Sequence, residues 1–130
     1  MGSFSVAEKN RMLDATTGRT TMTANTAYYA KLHTGSPGAA GTSNAAGETT
    51  RKAVTFGNAA ATDGIANTAI VQWTNVSTGE TYSHVSFWDA ASAGNFLGAD
   101  DLPATKTVEA GDTFTIPIGA VALAIGGTLP

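Results

Sequence analysis

Histidines, acids, serines and aromatic residues are the side chains in this sequence that could do chemistry, and their spacing decides what kind. His33 and His84 are far apart, and neither has a carboxylate nearby in a metal-ligand pattern. They could meet only if their strands were neighbours, so the expected role is local hydrogen bonding on a strand surface. Asp89 precedes an Ala-Ser-Ala-Gly turn, and Asp100 and Asp101 follow Gly98. A calcium site needs about six to eight oxygens at set positions, and no EF-hand or repeat spacing supplies them. These acids read as solvated turn residues. The same spacing gives no raised-pKa acid facing a nucleophile, as glycoside hydrolysis requires. No serine lies in a Gly-x-Ser-x-Gly elbow. Enzymatic activity, metals and cofactors are therefore not expected. Trp73, Tyr82 and Trp88, with Tyr28 and Tyr29, are the more informative set. Aromatics on a sheet face can stack on a sugar ring, but they serve equally as core or as subunit contacts. Tyr82, His84 and Trp88 are the candidate glycan or subunit contacts. Asn75-Val76-Ser77 fits a glycosylation sequon, expected to be unused without a secretory leader.

Composition narrows the partners. The chain has 130 residues, enough for one domain with an independent core over residues 1–130. Charged residues are 13% of it, about half the usual share, and Thr, Ser, Ala and Gly take their place. A net charge of -3 creates no field that would draw nucleic acid or anionic lipid. Cysteine is absent, which removes disulfides and thiolate chemistry. No apolar run approaches the roughly 18 residues of a membrane span, and no signal-peptide pattern opens the chain. The expectation is a soluble protein that neither inserts in membranes nor binds nucleic acid. A nearly uncharged surface packs readily against copies or partners, because few charges must be desolvated.

The elements that must position these side chains read as all-β. Residues 81–125 alternate apolar and polar positions between short turns, as strands of a packed antiparallel sheet do. Val85 and Phe87 point one way; His84, Ser86 and Trp88 point the other. Phe114, Ile116 and Ile118 share a face, as do Val121, Leu123 and Ile125, and Glu109-Ala110-Gly111-Asp112 reads as a hairpin turn. Earlier strands are predicted over residues 27–34, 50–56 and 65–75, with a turn-rich connection at 57–64. Ser5-Val6-Ala7-Glu8 reads as a capping box opening a short helix over residues 5–17, with Gly18 as its stop. That helix either plugs one end of the fold or docks on a neighbouring subunit. Residues 35–48, rich in Gly, Ala and Ser, lack phosphate-loop spacing and read as a flexible surface loop. The predicted fold is an antiparallel, jelly-roll-like β-sandwich of about eight strands over residues 27–125, with a short N-terminal helix.

Several stretches taken in order carry a resemblance. They are residues 29–38 (YAKLHTGSPG), 51–56 (RKAVTF), 65–68 (IANT), 84–90 (HVSFWDA), 94–97 (GNFL), 108–113 (VEAGDT) and 116–119 (IPIG). Together the chain resembles a family of small virion proteins of tailed bacteriophages, labelled tail-fibre, minor tail or structural proteins. The resemblance implies a β-rich, non-enzymatic virion component, assembled in the host cytoplasm, whose partners are major capsid or tail proteins. It defines no functional residues to carry over. Head decoration (cement) and a small tail- or fibre-associated subunit both fit it. Many identical copies satisfy their interfaces most simply by closed cyclic symmetry, so a homo-oligomer, with a trimer favoured, is expected. The alternative from another class is a carbohydrate-binding module that recognises host-surface glycan through Tyr82, His84 and Trp88.

Overall fold

The computed structural model describes residues 2–59 and 64–130. The fold is all-β with one short helix, as the sequence predicts, and the described residues form nine strands. They are β1 (Gly2–Phe4), β2 (Tyr28–His33), β3 (Lys52–Val54), β4 (Gly64–Ala66), β5 (Val71–Trp73), β6 (Glu80–Trp88), β7 (Phe96–Val108), β8 (Phe114–Ile116) and β9 (Ala122–Ala124). A helix, α1 (Val6–Thr16), follows β1. Seven strands form one curled sheet in the order β3-β2-β6-β7-β1-β9-β4, and β5 and β8 form a separate pair. Leu32, Val85 and Phe87 of the large sheet and Trp73, Phe114 and Ile116 of the pair meet in one buried cluster. Part of the expected 57–64 connection lies outside the described residues.

The large sheet is mixed. β1 runs antiparallel to β7, with Ser3 opposite Ala99, and parallel to β9, with Gly2 opposite Leu123. Gly98 permits this insertion, because a Cβ there would stand 2.5 Å from the Ser3 carbonyl oxygen and 3.0 Å from Phe4 Cα. The predicted 65–75 strand is two elements: β4 joins β9, while β5 pairs with β8 in the other layer. The 109–112 turn forms, closed by Asp112 N–H to Glu109 O at 3.0 Å. It does not close a hairpin, because the chain it reverses crosses from β7 in the large sheet to β8 in the pair. Ile118 and Ile125, which alternation groups with Phe114 and Ile116 and with Val121 and Leu123, are exposed beyond their strand ends.

Ser5 caps α1 as predicted, its hydroxyl accepting from Glu8 N–H at 3.1 Å. The other half of the box is missing because Ser5 N–H already donates to Leu97 O at 2.8 Å. Glu8, only 2% exposed, instead accepts from Arg11 at 2.5 Å and from Asn25 Nδ2 at 2.7 Å. Arg11 also donates to Thr23 O at 2.8 Å, so α1 and the polar 23–26 segment are tied together. Gly18, at φ 76°, ends the helix in the left-handed region that glycine enters without cost.

The loop expected to be flexible is instead folded onto the large sheet. Ser43 N–H donates to Pro37 O and Thr34 N–H to Asn44 O, both at 2.9 Å, and Ala46 N–H reaches Leu32 O at 3.1 Å. The C-terminal segment approaches the same side: Ser36 Oγ donates to Pro130 O, and Lys9 Nζ to Gly127 O. Small side chains let these segments lie close to the sheet, with Gly41 buried against the Phe96 ring. Chain length and composition resemble a mobile loop, but the backbone bonds fix it.

Candidate functional site

β6 carries all three predicted contact residues, yet the structure does not bring them to one face. Ladder register shifts between Tyr82 and His84, where residues 102–105 of β7 stand against Ser83 alone. Tyr82 therefore joins Val85 and Phe87 in the core, fully buried, with its ring edge-on to Phe114 at 5.1 Å. Its hydroxyl is buried without a hydrogen-bond partner among the described residues. Desolvation, with Glu80 and Glu48 nearby, pushes the phenol pKa up to about 12. Tyr82→Phe should therefore raise the urea midpoint by the equivalent of about 1 kcal/mol, because it removes an unpaired buried hydroxyl. A lowered midpoint would mean that the hydroxyl is partnered.

His84 and Trp88 stay on the outer face with Ser86, and β2 completes that face. Tyr29 lies opposite Trp88, Lys31 opposite Ser86 and His33 opposite His84. The two histidines are thus cross-strand partners. His84 is half-buried and shares a hydrogen bond with Ser83 Oγ at 2.7 Å. Trp88 is only 8% exposed. The Arg51 guanidinium sits 4.2 Å from its ring centroid, and Phe96 packs at 5.5 Å. Arg51 is held there by its bonds to Ala90 O at 2.9 Å and Ala93 O at 2.7 Å. A sugar could reach that ring only by displacing Arg51.

Strand register also produces a constellation that the sequence pattern hid. Trp88 Nε1–H donates to Ser86 Oγ at 2.8 Å, and Ser86 Oγ lies 2.7 Å from His33 Nε2. His33 Nδ1 lies 2.8 Å from Ser43 O, a carbonyl that can only accept. The chain is therefore Trp88 to Ser86 to His33, and His33 to Ser43, with a neutral imidazole protonated on Nδ1. Desolvation sets that state, holding the His33 pKa below its ordinary value of 6.5, and Lys31 and His84 add repulsion. A serine beside an imidazole oriented by an acceptor has the layout of an activated nucleophile. Here Ser86 and His33 are fully buried, and Trp88 occupies the oxygen that would have to attack. The arrangement fastens the 35–46 cover to the sheet. Alternation alone predicted the face of Ser86; only the β2–β6 pairing could have shown its partner.

The acids depart from expectation. Asp100 is not a solvated turn residue: it is buried in β7, its Oδ2 accepting from Ala122 N–H at 2.8 Å. Burial pushes its pKa up to about 6, and Asp101 adds to the rise, against the opposing bond from Ala122. Asp89 does close its turn, accepting from Asn95 N–H at 2.7 Å and Asn95 Nδ2 at 2.8 Å. Among the described residues no three His, Asp or Glu side chains gather as metal ligands.

Two of the concavities among the described residues are open. One, about 430 Å³, is lined by Glu8, Arg11, Asn25, Asp89, Asn95 and Phe96, among others. The second, about 300 Å³, lies between residues 102–106 and 113–117 and is mostly apolar, with Leu102, Phe114 and Ile116 among its walls. A search of curated proteins finds no match to the chain. A family model does match, over residues 3–124, a span that includes all the strands described above save the first residue of β1, and the buried relay on the outer face. By that match the chain belongs to the family described as podophage GP4 fiber I protein gp80, a fibre and structural family of tailed bacteriophages.

Proposed function

We propose that the chain is a non-enzymatic β-sandwich subunit of the virion surface, built into the particle as a homo-oligomer, with a trimer favoured. Its neighbours would be other virion proteins, and its action would be burial of uncharged surface against them. One observation carries this reading: the side chains best able to react, His33, Ser86 and Asp100, are buried and committed to partners, whereas Val6, Leu13, Ile70 and Ile118 face outward. The fibre family favours a fibre-associated position over head decoration. The total surface of 6653 Å² is near the roughly 6,400 Å² of a monomer of this mass. That supports a subunit that folds first and assembles afterwards.

Labelling this chain on intact particles and imaging them tests the assignment. Label on fibres is expected; label spread over the head would turn the reading to decoration, and particles without label would overturn it. Light scattering of the purified chain is expected to give three copies.

The 430 Å³ cleft favours a second reading, recognition of host glycan. Arg11, Asn25, Asp89 and Asn95 offer donors and acceptors beside the Phe96 ring, a mixture suited to sugar hydroxyls. A glycan array probed with the chain and with Arg11→Ala would show loss of a signal under this reading, and no signal under the first.

A further inference from the structure

The apolar groove is bounded by strand edges, not by sheet faces. Residues 102–106 and 113–117 all line it, inward and outward positions alike. Among the described residues β8 pairs only with β5, and residues 102–105 fall in the gap of the β6–β7 ladder between Asp101 and Lys106. Ile118, 65% exposed, follows directly from Pro117 on one wall. The groove is thus an unfilled seam with an apolar floor of Leu102 and Phe114, and Lys106 is the one charged side chain lining it among the described residues.

The same chain carries a fitting ridge. Val6 and Leu13 lie seven residues apart on the outward face of α1, 66% and 60% exposed, and the exposed acid Asp14 follows Leu13. Ridge and groove do not meet within one molecule: Val6 and Leu13 stay exposed, and no α1 residue lines the groove. α1 is anchored at the start of β7 through Ser5 N–H to Leu97 O. The groove opens only from Leu102 onward, roughly 15 Å or more along the strand.

We infer that α1 of one copy docks into the β7–β8 groove of the next, with Val6 and Leu13 over Leu102 and Phe114 and Asp14 beside Lys106. The occupant is a second copy because one chain holds both surfaces, and because Asp14, the one charged residue of α1 that is exposed (Lys9 is half-buried and bonded to Gly127 O), is opposite in sign to Lys106 of the groove. Such a contact is heterologous, and in a closed trimer each copy gives one helix and receives one. The inference rests on the homo-oligomer reading above.

The absence of cysteine allows a clean test. Leu13→Cys combined with Thr105→Cys should form disulfides between copies under mild oxidation, giving covalent species up to the trimer on a non-reducing gel. Either substitution alone should not. Asp14→Lys should lower the yield about fivefold, and adding Lys106→Glu should restore it. If light scattering shows an oligomer but the pair does not cross-link, the docking is wrong and the oligomer stands. Cross-linking by Leu13→Cys alone would mean a helix-to-helix contact and also overturns the docking. A monomer by light scattering removes both.

Discussion

Trp73→Ala is expected to cost about 4 kcal/mol, the upper range for removing a buried aromatic, and to lower the melting temperature by about 15 °C. Trp73 is 1% exposed, packs on Phe114 at a centroid distance of 6.0 Å, and donates from Nε1 to Thr50 O at 2.7 Å. It belongs to a pair of three-residue strands that stands apart from the large sheet. A two-stranded ribbon is barely stable by itself, so its order depends on the side chains it buries. The variant should therefore lose amide protection at β5 and β8 before β2 and β6. Trp73→Phe separates the contributions: it keeps most of the buried area, drops the bond to Thr50, and should cost about 1 kcal/mol. The chain has two tryptophans, so either variant leaves Trp88 as a single fluorescent reporter of the outer face. Uniform loss of protection, or a cost under about 1 kcal/mol for the alanine variant, would mean the pair is held by something other than this ring.

What the sequence displayed and what it hid divide along a physical line. Strands that alternate cleanly, such as β2 and β6, were legible because one face is apolar: Ala30 and Leu32, Val85 and Phe87. The Ser5 cap and the Gly18 stop were legible because their chemistry is local. β7, the longest strand, was not. Gly98, Asp100 and Pro103 all weigh against a strand, and each is explained only by tertiary partners: β1 beside Gly98, the Ala122 amide on Asp100, a ladder irregularity at Pro103. β1, three residues long, carries no pattern at all, and its place depends on the gap between β7 and β9. Alternation puts Tyr82 on the outer face with His84, because it counts residues, and the irregular register between the two changes the count. The relay was hidden for a related reason, since His33 and Ser86 are brought together by register and Ser43 by the fold of a loop.

Replacing His33 gives the second large effect and also exposes how the fold responds to pH. His33→Leu leaves the Ser86 hydroxyl without its acceptor and the Ser43 carbonyl without its donor, both in a buried site. At roughly 1–3 kcal/mol for each unpaired group, the cost should be about 3 kcal/mol. In the native protein the imidazole pKa is held below 6.5, so the unfolded chain takes up its proton first as the pH falls. The stability tied to neutral His33 is complete above 6.5 and is lost on acidification from there toward the lower folded pKa. His84 lies opposite His33, Lys31 lies two residues along β2 on the same face, and Asp101 stands opposite His84 on its other side, so no carboxylate is the ladder partner of His33. Asp100 acts in the other direction. Its folded pKa of about 6 lies above the ordinary 3.8, so its contribution is complete below 3.8 and is lost as the pH rises through 6. That contribution is on the order of 3 kcal/mol. The two partly cancel between pH 4 and pH 6.5 in the native chain. Urea titrations across that range should therefore be shallow for the native protein. His33→Gln should show stability rising as the pH drops, and Asp100→Asn should show it falling. Parallel pH profiles for all three proteins would mean that neither group is buried in the charge state described, and that the cover over the outer face is not fastened through a neutral histidine.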